Sequence, residues 1–170
     1  MNTPITIGIS ACLVGQNTRY DGGNRHDPLL VEALGSFTLV PLCPEAECGL
    51  GIPREPMRLE GDPENPRLMT ITTRRDLTGQ MRTRCGQRLN TLASEGIGGL
   101  ILKARSPSCG KRVPVHGEGD GETASSPGLF ARLVMERFPA LPIADEEELR
   151  DPARLTAFLD RLPKGAFPSR

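Results

Sequence analysis

No tryptophan occurs in the 170 residues, tyrosine occurs once and histidine only twice. With hydrophobic residues at 37%, the core this allows is modest and aliphatic, yet the chain is long enough to enclose one ordinary domain. Neither sign of charge is in excess, since 21 Lys and Arg offset 21 Asp and Glu. That balance excludes a chain that is as a whole a polyelectrolyte for nucleic acid, and leaves room for no more than a local basic patch. No apolar run approaches the ~20 residues of a membrane span. The start, Met1-Asn-Thr-Pro, has neither the basic nor the apolar region of a secretory leader, so a cytoplasmic protein without a membrane segment is expected. The five cysteines include no close Cys-x-x-Cys pair, which argues against a zinc ribbon. In a reducing compartment such cysteines read as metal ligands, catalytic groups or core filler before disulfides. There is no internal repeat and no linker, so residues 1–162 read as a single α/β domain and Pro163–Arg170 as a frayed tail.

Glycine (19) and proline (16) are by contrast plentiful, and they mark long structured loops. The chain is organised around Gly99-Leu-Ile-Leu-Lys-Ala-Arg-Ser-Pro-Ser-Cys-Gly110. Leu100-Ile101-Leu102 reads as a buried strand that breaks abruptly into Ser106-Pro107-Ser108-Cys109-Gly110. Pro107 holds φ at about −65°, and Gly110 permits a backbone that bulkier residues avoid. Two hydroxyls and a thiol thus sit on a stiff turn beyond a strand's carboxyl end, where open α/β sheets bind ligands. Ile5–Cys12 and Phe37–Cys43 repeat the arrangement, so three strands each deliver a cysteine at the exit end.

Between these strands, Asp27-Pro28 caps a helix through Leu29, Leu30 and Leu34 that stops at Gly35. Pro44 to about Pro66 is a long Gly/Pro-rich loop, and Arg67–Thr72 is a further short strand. Leu77, Met81, Cys85, Leu89, Leu92 and Ala93 share one helical face, which predicts a helix over Asp76–Glu95 with Cys85 in the core. His116–Ala124 reads as a Gly- and acid-rich loop, and Ser126-Pro127 as the cap of a helix running to Phe138. Leu141–Ala144 reads as an edge strand, because Pro142 cannot donate to a ladder, and Pro152–Leu162 as a final helix. Strands alternating with helices predict a single-domain, Rossmann-like α/β fold. Its largely parallel sheet is flanked by helices, with the Gly/Pro-rich loops at the strand carboxyl ends. Cys12, Cys43 and Cys109 then share one rim.

Three small buried residues near strand ends are one reading of these cysteines. The other is a shared site, because each cysteine is followed by loop-forming residues and not by more core. Three thiolates without a neighbouring histidine suit a soft metal centre, either zinc or iron–sulfur. Cys48 reads as a spare thiol, a substitute ligand or a core residue, and its followers Gly49-Leu50-Gly51-Ile52-Pro53 suggest a segment turning away to pack on the core. Glu45, two residues past Cys43 and held by Pro44, is placed to act as a general base. Ser106 and Ser108 are turn residues with hydroxyls to offer. Arg19 and Tyr20 offer donors from the loop after the first strand. Arg19, Arg54, Lys103, Arg105 and Lys111 fall in loops at the same rim and hint at an anionic ligand such as a phosphate. His26 and His116 are isolated and receive no role.

Three motifs occur in order: Ser10-Ala-Cys-Leu-Val-Gly15 with Arg19-Tyr-Asp-Gly-Gly23, then Cys43-Pro-Glu45 with Pro53-Arg-Glu-Pro56, then Leu102-Lys-Ala-Arg-Ser-Pro-Ser-Cys-Gly110. Together they resemble the thiouracil desulfidases, the TudS-like proteins, over roughly Ile5 to Leu162. The resemblance implies one iron–sulfur desulfidase domain carrying a [4Fe–4S] cluster, held by three cysteines that map onto Cys12, Cys43 and Cys109, with one iron left open. It implies non-redox removal of sulfur from thiolated pyrimidines such as 2-thiouracil, 4-thiouracil or 4-thiouridine monophosphate. The catalytic carboxylate maps onto Glu45 and the catalytic serine onto Ser106, with Ser10, Arg19, Tyr20, Arg54, Lys103 and Ser108 left as substrate-binding candidates. Two departures stand out. Cys48 occupies a position where short relatives carry Gly. In addition, Asp76–Met81 and Gly128–Pro139 look like a longer branch that has a further C-terminal domain and acts on 4-thiouridine in tRNA. Neutral charge favours a small thiolated pyrimidine over tRNA as the partner. The alternatives are a tRNA desulfidase, a zinc- or cluster-stabilised binding module without chemistry, and a cysteine-only enzyme passing sulfur through a persulfide.

Overall fold

The computed structural model describes residues 3–117 and 122–163. Its centre is a parallel four-stranded sheet of β1 (Thr6–Ser10), β2 (Thr38–Leu42), β5 (Ile97–Leu102) and β8 (Ile143–Asp145), in the order β2-β1-β5-β8. Pairing runs Ser10 to Leu42, Ile9 to Ile101 and Leu102 to Asp145, so the four carboxyl ends lie along one rim. The chain runs from β1 outward to β2 and later returns to β5 on the other side of β1. The crevice above β1 and β5 is therefore the switch point at which such sheets bind ligands. Pro41 is tolerated because β2 is an edge strand with β1 as its one neighbour.

Helices cover both faces. The short α1 (Pro28–Ala33) and α5 (Pro152–Arg161) pack with Ile7, Ile9 and Ile101 on one side. On the other side, α3 (Thr78–Ser94) and α4 (Leu129–Arg137) pack with Leu42, Leu100 and Leu102. The alternation along β5 explains why that strand is apolar at every position: Leu100, Ile101 and Leu102 are all fully buried, on alternating faces. Each contributes roughly 2 kcal/mol of burial. Asp27 and Asp151 cap α1 and α5, accepting from the amides of Leu30 at 3.1 Å and Ala153 at 2.9 Å, each followed by a proline at the first helical position.

The stretch from Pro44 to Pro66 is more than a loop. It contains one helical turn, α2 (Pro44–Glu47), and a strand, β3 (Met57–Glu60). β3 joins β4 (Arg67–Thr70), β6 (Val113–His116) and β7 (Glu122–Ser126) in a second, mixed sheet of order β4-β3-β6-β7. This sheet folds over α3 and α4, with Leu59, Leu68, Val113 and Val115 in the same core cluster as those helices. The expected acid-rich loop His116–Ala124 accordingly carries the end of β6 and the start of β7, and its residues 118–121 lie outside the described residues. The expected tail beyond Pro163 also lies outside them.

Smaller differences have local causes. α3 begins at Thr78, because the side chain of Asp76 accepts from the Thr78 amide and the residue itself bridges to Met69. Ser126 ends β7 and does not cap α4; the capping position belongs to Gly128. The amides of Leu129 and Phe130 donate to the carbonyls of Pro107 and Ser108 at 3.1 and 2.9 Å, so the Ser-Pro-Ser-Cys turn itself caps the helix. A Cβ on Gly128 would stand 2.6 Å from the backbone of Ser108. Gly110 is likewise needed for space and not for an unusual backbone: a Cβ there would stand 2.8 Å from the Ser106 carbonyl.

Candidate active site

A cleft of about 580 Å³ opens over the carboxyl ends of the parallel sheet. Cys12 follows β1 in a single 3-10 turn (Ala11–Val14), Cys43 follows β2 at the head of α2, and Cys109 lies in the turn after β5. All three line the cleft, as do Glu45 and Ser106. Cys48 and Cys85 do not line it; both are buried in the core between α2, α3 and α4. Of the segment after α2 only Leu50 packs against that core; Gly49, Gly51, Ile52 and Pro53 are exposed, so the expected inward packing of Gly49–Pro53 is confined to one side chain and the rest is surface loop.

Burial pushes the Cys12 thiol up to about 11, and its neighbour Cys43 adds to the effect. Burial also raises Cys109 well above the ordinary thiol value, again with Cys43 as the next cause and with Ser10 opposing through a hydrogen bond. Cys43 is thus the electrostatic neighbour of both other thiols. Such thiols give up their protons only to a strongly cationic centre. Among the described residues, no group of three or more His, Cys, Asp or Glu converges on a point that fits one metal ion. An iron–sulfur cluster attaches each thiolate to a different iron, and the three thiols that line this cleft, Cys12, Cys43 and Cys109, are the ligand type it takes.

Glu45 is buried on the floor of this cleft and both its oxygens are engaged. Oε1 accepts from Ser108 Oγ at 2.8 Å. Oε2 accepts from Arg54 Nε at 2.8 Å, with Nη2 2.7 Å away. Ser108 is fully buried behind the carboxylate and does not line the cleft, so it faces Glu45 and no substrate. Ser106 Oγ accepts from the amides of Ser108 and Cys109 at 3.2 and 3.1 Å, holding the turn, while the residue still lines the cleft. Ser10 Oγ accepts from the Lys103 amide at 2.8 Å and ties β1 to the turn after β5.

The five basic residues expected at the rim are each neutralised. Arg19 pairs with Asp21, Arg54 with Glu45, Lys103 with Glu146, Arg105 with Glu147 and Lys111 with Glu148. Lys111 does not line the cleft. These pairs range from the buried Arg54–Glu45 and Lys103–Glu146 to the exposed Arg105–Glu147, while Arg25 and Arg150, which also line the cleft, form no ion pair among the described residues. Arg19 also stands over the ring of Tyr20, 5.4 Å from its centroid, and Tyr20 and His26 are the aromatic-ring side chains that line the cleft among the described residues.

Glu146 was not legible in the sequence. It is 4% exposed, receives Lys103 Nζ on one oxygen and the Ala104 amide at 2.7 Å on the other, and lines the cleft. Its only signal was a position just past a short strand, masked by the acidic run Asp145-Glu-Glu-Glu148 that reads as solvated surface. Thr18, Arg25 and Arg150 line the cleft as well and carried no sequence signal. No helix among the described residues is long and apolar enough to cross a membrane.

The chain is 27% identical over 150 residues to the uncharacterized protein YbbK of Bacillus subtilis (strain 168), covering 85% of this chain and 98% of that one. Among solved structures it resembles TudS, a [4Fe–4S]-dependent thiouracil desulfidase, with a TM-score of 0.72 and 28% identity over 90% of this chain and 98% of that one. The family model described as 2-thiouracil desulfurase matches residues 7–146, a span that begins in β1 and ends at the buried Glu146 beyond β8. With its strand-end cysteines inside that match, the chain belongs to the 2-thiouracil desulfurase family.

Proposed function

We propose that this protein is a desulfidase for thiolated pyrimidines, with a [4Fe–4S] cluster on Cys12, Cys43 and Cys109. The observation that carries the reading is that these three cysteines and Glu45 line one cleft, at the switch point of a parallel sheet. When bound, the cluster supplies a Lewis-acidic open iron suited to a thiocarbonyl sulfur, a soft–soft match.

The chain's own residues do the rest. Tyr20 presents its ring to the pyrimidine, with Arg19 held over that ring by its pairing with Asp21. Glu45 takes a proton from a water as that water adds to the thiocarbonyl carbon. Ser106, lining the cleft in the turn that bears Cys109, orients or relays a proton. The water's oxygen replaces sulfur on carbon and its protons leave with sulfide, so no electron is consumed. The balanced charge of the chain favours a neutral base over a polyanion, which makes thiouracils the preferred substrates and tRNA the lesser one. Residues 1–162 act as one desulfidase domain, and thiolate ligands for a cluster suit a reducing, cytoplasmic setting.

Protein purified and reconstituted anaerobically is expected to hold about four irons per chain. It should release sulfide from 2-thiouracil faster than from 4-thiouridine monophosphate or thiolated tRNA in a parallel assay. Colourless, zinc-loaded protein that releases none points to a binding module instead, and sulfide release that survives iron chelation points to persulfide chemistry.

A further inference from the structure

The desulfidase reading needs Glu45 to act as a base, yet the structure buries it in an ion pair. We propose that Arg54 is a positioning residue that covers Oε2 of Glu45 and leaves one acceptor position, on Oε1, free to act on the reacting water. This inference rests on the proposed function and adds which oxygen works and what holds it.

An ionised carboxylate has about four lone-pair positions. The edge of the Arg54 guanidinium faces Oε2, with Nε at 2.8 Å and Nη2 at 2.7 Å. Ser108 Oγ takes one position on Oε1 at 2.8 Å. The remaining position on Oε1 belongs to an oxygen whose residue lines the cleft. Arg54 has its own geometry fixed by the surrounding loops. Nη1 donates to the Gly51 carbonyl at 3.0 Å, Nη2 to the Thr18 carbonyl at 2.9 Å, and the backbone amide to the Tyr20 carbonyl at 2.8 Å.

One arginine therefore joins the segment bearing Tyr20, the turn bearing Glu45 and the loop that follows it. Arg54 borders the cleft, but its side chain is 6% exposed and all three nitrogens have acceptors inside the protein, so its donors are committed to Glu45 and the surrounding loops. A lysine cannot reproduce this. A point charge lacks the planar fork that fixes the carboxylate and both carbonyls at once.

The test is a double-mutant cycle in reconstituted holoprotein, with 2-thiouracil as substrate. Arg54→Gln should lower kcat on the order of 10²-fold, the cost of displacing a reacting group by about an ångström. KM should stay within about twofold, since every guanidinium nitrogen already has an acceptor inside the protein. Arg54→Lys should recover part of kcat, and Arg54→Gln/Glu45→Gln should be no slower than Glu45→Gln within about threefold. Thermal unfolding of the iron-free proteins gives a readout independent of activity. Arg54→Gln leaves a buried carboxylate unpaired, so it should melt lower than the double variant, which also keeps the experiment alive if the single variant folds poorly.

Losses that multiply across the cycle, or a double variant that melts lower than Arg54→Gln, overturn the proposal while leaving the desulfidase reading intact. Wild-type kcat in Glu45→Gln overturns both the base and its positioning. A wild-type holoprotein that releases no sulfide overturns the desulfidase reading itself.

Discussion

Ser108 and Glu45 stand 63 residues apart in the chain and share a hydrogen bond of 2.8 Å, buried behind the cleft floor. The bond locks the turn after β2 to the turn after β5. The carbonyl of the same Ser108 accepts from Phe130 at the start of α4, so one residue links carboxylate, cysteine turn and helix.

That linkage makes Gly128 sensitive although it is remote from the chemistry. A Cβ there meets the Ser108 backbone at 2.6 Å and the Pro107 carbonyl at 2.8 Å, atoms that move only if the turn moves. Gly128→Ala is expected to cost about 1–3 kcal/mol, as overpacking does. It should also lower both iron retention and sulfide release. Urea unfolding and iron per chain check this; wild-type values for both would show that the turn yields freely.

The five cysteines should divide into two groups. Replacing Cys12, Cys43 or Cys109 with Ala is expected to abolish cluster binding. Cys48→Ser should keep iron content and activity, because Cys48 is a buried core residue that does not line the cleft. Cys85→Ala should cost only packing, about 1 kcal/mol or somewhat more. Anaerobic iron and sulfide analysis with absorption spectra separates the groups, and full iron content in Cys109→Ala would remove the site as drawn.

Glu45→Gln should lower kcat by roughly 10²–10⁴, the usual worth of a positioned acid–base group, with the cluster spectrum unchanged. KM should move little. Steady-state rates within about twofold of wild type would assign the base elsewhere.

Stability should fall in acid through Glu60, on β3 in the second sheet. Hydrogen bonds from Arg74, then Arg58, hold its carboxyl at about 2, below its ordinary 4.5. A depressed pKa means that the folded state releases this proton more readily than the unfolded chain. The contribution is therefore fully present above about 4.5 and is lost as pH falls towards about 2. The stability gap between wild type and Glu60→Gln in urea titrations is expected to be widest near neutrality and to close in that window. A gap that stays constant through it assigns the effect to packing.

Much of the frame can be read along the chain because its causes are local. Strand β5 is apolar at consecutive positions, α3 keeps helical period from Leu77 to Leu92, and Asp-Pro pairs announce α1 and α5. The three cysteines could be placed on one rim because parallel strands must point their carboxyl ends the same way. The second sheet could not be seen. Met57-Arg-Leu-Glu60 lies among prolines, Val113-Pro-Val-His116 contains one, and neither is long enough to show a period, so their pairing depends on α3 and α4 offering an apolar surface to cover. The same holds at the site. Glu45 stands out by its distance from Cys43, but whether Arg54 binds a substrate or a carboxylate, and whether Ser106 or Ser108 touches that carboxylate, depends on how separate loops meet. Charge partners in a buried cleft are chosen by proximity in space, and sequence distance carries no trace of it.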